Sequence, residues 1–266
     1  MTVNKAVIAI AGKGTRMYPI TKAIPKEMLP IGTTPILQMI IDEVILSGIK
    51  EILFIISPNR QLVAKYLVGV STPDAFSKTR KLYDYLGNPE IKVGFEYQDM
   101  DLPIVGTAVA VSLAKSFTKD EPFALLYGDD IFIGAKPALM SLIEASNKNN
   151  GATVIGVQHI NRLEASNYAT VICDDFDGVT GTCKQIIEKQ PVSDIKSDLT
   201  SVGRYILSSN IYKYLTNLEV HNGECWLTDA INNQAHAEKV FVSLINSVRH
   251  DTGNPEGYIH AFKTLC

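Results

Sequence analysis

The chain has 266 residues, 46% of them apolar and 20% charged, with a formal net charge of −3. That length suits one large α/β domain or two small ones around a packed core. The slight acidity, with no basic stripe or Lys/Arg cluster, argues against nucleic acid as a partner. Cys173, Cys183, Cys225 and Cys266 include no Cys-x-x-Cys pair and no zinc spacing with a histidine, so a reduced protein is expected.

In chain order, residues 6–10 form a short apolar run that reads as a first buried strand rather than a signal-peptide core. No stretch approaches the length of a transmembrane helix, and a cytoplasmic location is expected. A helix is predicted after Thr34-Pro35, with Thr34 as cap, Pro35 in the first turn and Gly48 as stop. Residues 51–57 and 92–97 read as strands, separated by two helical patterns over 61–86 that carry no obvious chemistry. Then follow a helix at 107–117, a strand at 123–127, a helix at 136–147 and a strand at 152–158. Residues 168–207 are rich in β-branched types and contain the hairpin signal Asp177-Gly178. They read as a mixed-sheet insertion that covers the sheet edge and carries substrate contacts. A helix at 228–238, capped by Thr228, and a strand at 241–245 complete the pattern. Nearly continuous apolar strands alternating with amphipathic helices predict an open, doubly wound α/β/α, Rossmann-like domain. A single domain is expected over 1–266, with its insertion over approximately 160–207.

The segment Ala11-Gly12-Lys13-Gly14-Thr15-Arg16 follows the first strand directly, where open α/β sheets bind ligands. Glycines let backbone N–H groups approach phosphate oxygens, and Arg16 offers a fixed positive fork for a triphosphate. Neither a P-loop nor a dinucleotide fingerprint is present, since Met17 stands where the third glycine belongs. Taken alone, the loop reads as well as a tight turn. Lys26 sits among Pro25, Met28, Leu29 and Pro30, a stiff apolar loop that can hold an ammonium over a phosphate. The strand at 123–127 ends in Gly128-Asp129-Asp130, a place for Mg²⁺ beside a nucleotide or else a loop-capping acid pair. Taken alone, Glu188-Lys189 reads as a solvated charge pair and Asp251 as a turn residue.

The run Gly12-Lys-Gly-Thr-Arg-Met-Tyr-Pro-Ile-Thr-Lys-Ala-Ile-Pro-Lys-Glu-Met-Leu-Pro-Ile31 resembles the signature of the bacterial UTP–glucose-1-phosphate uridylyltransferases, within the sugar-nucleotide pyrophosphorylases. Met17-Tyr18-Pro19 leans slightly towards the related thymidylyltransferases. The resemblance extends from Ala6 to Phe262. It implies that Ala11, Gly12, Gly14 and Thr15 hold nucleotide phosphates and that Gln98 reads the base. Arg16 would contact the leaving pyrophosphate, Lys26 the phosphates, and Asp129 and Asp251 would bind Mg²⁺; Arg16, Lys26 and Asp129 are the implied catalytic set. Asp130, Glu188 and the Val202-Gly203 backbone would face the sugar, and Lys189 the sugar phosphate. A homodimer or homotetramer is also implied.

The departures are specific. Ile10 replaces a small residue, Ala169 replaces a glycine, Pro191 is displaced by one, and Trp226 stands where glutamine is usual. The base segment 98–108 is one residue longer and lacks the first glycine and the histidine of the family pattern. The implied reaction joins UTP and glucose 1-phosphate into UDP-glucose and pyrophosphate. Two alternatives remain: a thymidylyl- or cytidylyltransferase, or a non-catalytic nucleotide-binding regulator.

Overall fold

The computed structural model describes residues 2–58 and 60–266. The strands are β1 (Lys5–Ala9), β2 (Pro30–Ile31), β3 (Thr34–Pro35), β4 (Glu51–Ile56), β5 (Tyr83–Tyr85), β6 (Asn88–Tyr97) and β7 (Phe123–Tyr127), then β8 (Asp130–Ile133), β9 (Val154–His159), β10 (Ala169–Asp174), β11 (Thr180–Glu188), β12 (Leu199–Leu207), β13 (Phe241–Leu244) and β14 (Val248–Asp251). The helices are α1 (Ile36–Leu46), α2 (Gln61–Val68), α3 (Phe76–Thr79), α4 (Thr107–Leu113), α5 (Lys115–Thr118), α6 (Ala138–Lys148), α7 (Arg162–Ala165), α8 (Leu227–Ala237) and α9 (Pro255–Leu265). Among the described residues, no helix is long and apolar enough to cross a membrane.

Ten strands form one sheet in the order β10-β11-β13-β9-β12-β7-β1-β4-β6-β5. Its β7-β1-β4-β6 part is parallel. Alternate side chains of β1 go to opposite faces: Ala6 and Ile8 join the core under α1, α2 and α6, whereas Val7 joins the core under α4 and α8. Burial on both faces is what the unbroken Val/Ile runs encode. The fold is thus a doubly wound α/β/α domain with a mixed-sheet insertion.

Three local expectations are corrected. Thr34 does not cap α1, because Thr34 and Pro35 pair with Pro30 and Ile31 as a small hairpin, leaving Pro35 at the helix start. The helix expected over 107–117 breaks at Ala114 into α4 and α5. Thr228 does not cap α8; Trp226 holds the cap position and the Thr228 hydroxyl donates to Glu188 Oε1 at 3.2 Å. The insertion also does more than cover an edge. Its β12 runs through the sheet between β9 and β7, and β10 bonds β12 at Thr170 opposite Thr200, so the far end of the sheet curls back on itself.

The parallel strands end on one side, at Tyr127, Ala9, Ile56 and Tyr97, and the loops that follow them gather there. Beneath them lies Arg204 of β12, with no exposed surface. Its guanidinium forks onto Glu43 of α1, with Nη2–Oε2 at 2.8 Å, and donates to the carbonyls of Asp130 (2.8 Å), Gly203 (3.2 Å) and Tyr127 (3.4 Å). Removing one partner of such a buried pair strands the other charge. Arg204→Met is expected to lower stability by about 3–5 kcal/mol in urea unfolding followed by circular dichroism. An unchanged midpoint would contradict this reading of the pair.

Candidate active site

Three carboxylates meet beyond β7. Asp129 and Asp130 follow Gly128, and β8 pairs antiparallel with β14 so that Asp251 stands opposite Asp130. The adjoining turn is tied down by Thr252, whose N–H and hydroxyl both donate to the Asp129 carbonyl, at 2.7 and 2.8 Å. Gly128 gives room to Ile10: a Cβ there would stand 2.1 Å from an Ile10 methyl, so this bulky residue fits only over a glycine.

Each acid has its own partners. Asp129 Oδ2 accepts from Lys26 Nζ at 2.5 Å, with Arg16 Nη2 at 3.7 Å. Burial opposes the Asp129 charge, but Lys26 and then Arg16 outweigh it and hold the carboxyl below its ordinary value. Asp130 Oδ1 accepts from Arg249 Nε at 2.6 Å. Burial nonetheless pushes Asp130 up to about 6, with Asp129 and Asp251 adding to the rise. Asp251 accepts from Tyr168 Oη at 2.6 Å, Gly253 N at 2.9 Å and Asn254 Nδ2 at 3.1 Å.

Asp129 and Asp251 face one small space. A Cβ built on Gly253 would lie 2.6 Å from Asp129 Oδ2, 3.1 Å from Asp251 Oδ1 and 3.1 Å from Arg16 Nη2. Two hard oxygen donors around so small a space fit a divalent cation that takes its remaining ligands from phosphate and water. Among the described residues no group of three or more His, Cys, Asp or Glu is clustered for a metal, so the protein alone offers an incomplete shell.

Two cavities open from this centre. One, of about 390 Å³, is bordered by Asp130, Tyr168, Ala169, Glu188, Lys189 and Gly203. Gly203 adopts φ +66°, and a Cβ there would come within 2.6 Å of Asp130 Oδ2, so both the turn and the acid's position require glycine. The other, of about 310 Å³, is bordered by Ala11, Gly12, Lys26, Gln98, Gly106 and Trp226. Arg16, Tyr127, Asp129 and Glu224 line both. A ligand with two dissimilar ends joined by phosphates would fill such a pair, with its phosphates between Arg16 and Asp129.

The family model described as nucleotidyl transferase matches residues 5–266. This chain belongs to the nucleotidyl transferase family. The UTP–glucose-1-phosphate uridylyltransferase of Bacillus subtilis is 33% identical, over 97% of this chain and 89% of its own. That of Mycoplasma pneumoniae is 34% identical, over 97% and 91%. A crystal structure of UDP-glucose pyrophosphorylase complexed with UDP-glucose aligns at a TM-score of 0.87 and 25% identity, covering 99% of this chain and 98% of that one. The UTP-bound enzyme from Acinetobacter baumannii aligns at 0.82 and 25%, covering 99% and 93%.

Within this nucleotidyl transferase, the residues singled out by sequence fall into three groups. Arg16, Lys26, Asp129, Asp130, Glu188, Lys189, Gly203 and Asp251 line one or both cavities, as do Ala11, Gly12 and Gln98. Gly14 and Thr15 line neither; Gly14 takes φ +68° at the start of a short helical turn, and its carbonyl accepts the Thr21 hydroxyl at 2.8 Å. Val202 turns its side chain into the core between two cavity-lining neighbours, Ser201 and Gly203. Several residues carry no recognisable sequence signal: Tyr127 and Glu224 in both cavities, Arg249 on Asp130, and Arg60, which donates to the Gly12 carbonyl. Arg60 also pairs with the fully buried Glu27, Nε to Oε1 at 3.5 Å, and so fixes the glycine loop from behind. Of Met17-Tyr-Pro-Ile-Thr-Lys22 only Met17 is buried, and exposed Lys22 lies over the Tyr18 ring.

Burial raises the Glu188 carboxyl above its ordinary value, and the Thr228 hydroxyl and Lys189 only partly counter it. A raised folded-state pKa means that the folded protein binds this proton more tightly than the unfolded chain does. The ionised group therefore costs stability progressively as the pH rises from the ordinary glutamate value of about 4.3 through the folded value, in full above it and not at all well below 4.3. Glu188→Gln is expected to raise the urea midpoint at neutral pH and leave it unchanged in acid. Loss of stability at neutral pH would contradict that assignment.

Proposed function

We propose that this nucleotidyl transferase makes UDP-glucose and pyrophosphate from UTP and glucose 1-phosphate. The observation that carries this reading is the pair of cavities sharing Arg16, Tyr127, Asp129 and Glu224. The names of the relatives supply the substrates, and the geometry is suited to them.

A phosphate oxygen of glucose 1-phosphate attacks the α-phosphorus of UTP. The bond to the β-phosphate oxygen breaks, and pyrophosphate leaves with that electron pair. The nucleophile is already an anion at neutral pH, so no residue has to remove a proton from it. The work is to bring two polyanions into line, by positioning and charge neutralisation. In this reading Gln98 pairs with the uracil edge, and Ala11 and Gly12 present backbone to the triphosphate. Glu188 and Asp130 accept from glucose hydroxyls, and Lys189 meets the sugar phosphate. Arg16 stands at the pyrophosphate side and Lys26 at the phosphates. A Mg²⁺ ion on Asp129 and Asp251 supplies further neutralisation of the phosphates when bound. Lys26 uses one of its three N–H donors on Asp129 and keeps two for phosphate.

The chain then works as one catalytic unit over 1–266, with most sugar contacts on the insertion, in a homo-oligomer without nucleic acid or membrane.

The test is pyrophosphate release by the purified protein across UTP, dTTP and CTP and a panel of sugar 1-phosphates. Release proportional to protein concentration, greatest with UTP and glucose 1-phosphate, is expected. Nucleotide binding with no release from any pair would overturn the reading in favour of a regulator. Lys26→Ala should lower turnover by roughly 100-fold, the scale for removing one electrostatic donor. It should also cost stability, because it removes the cationic partner of a largely buried Asp129. Near-normal turnover would remove Lys26 from the mechanism.

A further inference from the structure

Trp226 is the single tryptophan of the chain. Its backbone caps α8, and the residue borders the cavity that also holds Gln98, Met100 and Gly106. The indole is fixed from outside. It lies flat on the His221 imidazole, with centroids 3.9 Å apart and planes 13° from parallel. His221 Nε2 in turn meets Asp229 Oδ2 at 2.9 Å, and the indole N–H points to Glu224 Oε2 at 3.4 Å.

The segment carrying this ring is bonded to the base loop. Val105 N donates to Gly223 O at 2.9 Å and Cys225 N to Val105 O at 2.8 Å. Ala108 N donates to Cys225 O at 3.2 Å, and Leu227 N to the Thr107 hydroxyl at 2.9 Å. Gly106 lies so close that a Cβ would stand 2.4 Å from Cys225 O. The loop 98–108 and Trp226, remote in sequence, therefore form one wall.

We propose that Trp226 is a base-stacking residue of the nucleotide site, held in position by the His221–Asp229 pair. This rests on reading its cavity as the nucleotide site. One face of the indole is covered by His221, so the ring of this cavity residue is braced rather than free to swing out. Aromatic–base stacking adds affinity with little regard to base identity, because every base has a π-face. Trp226 thus strengthens the hold on any pyrimidine triphosphate. Gln98 is left to distinguish their edges.

The test uses the tryptophan's own fluorescence, excited apart from the tyrosines, in the whole protein. Titration with UTP should quench emission saturably, over the same concentration range in which calorimetry records binding. Pyrophosphate alone should bind without quenching. Trp226→Ala should raise KM for UTP and for dTTP by about 10-fold each, as expected when one stacked base contact is lost. KM for glucose 1-phosphate should stay unchanged, and Trp226→Phe should restore most of the nucleotide affinity. A merely structural role would not separate the two substrates in this way. UTP binding recorded by calorimetry with unaltered emission, equal quenching by pyrophosphate, or a normal KM for UTP in Trp226→Ala would overturn the stacking role. Absence of any nucleotide binding by calorimetry would instead overturn the reading of the cavity itself, and with it the proposal.

Discussion

Arg204 is buried without exposed surface, and its donors are divided between one carboxylate and three backbone carbonyls. The carboxylate belongs to Glu43 on α1, and the carbonyls to Tyr127, Gly203 and Asp130. These carbonyls flank the acid loop and the glycine turn under the cavity bordered by Glu188 and Lys189. Glu43 also accepts from Leu139 N at the start of α6. One guanidinium thereby joins the sheet, two helices and the site floor. A carbonyl there without such a donor would be a buried acceptor left unpaired. Through Arg204 the insertion's strand β12, in the middle of the sheet, supplies the donor to these carbonyls.

Above this floor, three carboxylates stand close together without sharing a partner. Lys26 and Arg16 face Asp129, Arg249 faces Asp130, and Tyr168 with backbone and amide donors faces Asp251. Burial raises Asp130, with Asp129 and Asp251 adding to the rise, while Lys26 and Arg16 keep Asp129 charged. The charged one stands where both cavities meet. Arg249 also lies 4.4 Å above the Tyr168 ring, so the cation on Asp130 and the donor to Asp251 brace each other.

The legible features are those written locally. Unbroken apolar runs mark β4 and β7 to within a residue, because helices cover both sides of those strands. The glycine loop, Lys26 and the Asp129-Asp130 pair stand beside strand ends, which a single pass along the chain can find. Caps were misleading where the same side chain had a better long-range partner, as with Thr228 and Glu188. The break at Ala114 is invisible because alanine favours helix. Arg204 and Arg249 carried no readable role, since their partners lie 161 and 119 residues away. Their importance depends on burial, which the sequence does not display for an arginine.

The central claim is that nucleotide and sugar occupy two cavities joined at Arg16 and Asp129. It is tested most directly by a crystal structure of this protein with UDP-glucose and Mg²⁺. Uracil is expected beside Gln98 and Trp226, glucose beside Glu188 and Asp130, and the diphosphate between Arg16 and Asp129, with the metal on Asp129 and Asp251. Glucose bound outside the cavity floored by Gly203, or a metal held away from both aspartates, would contradict it.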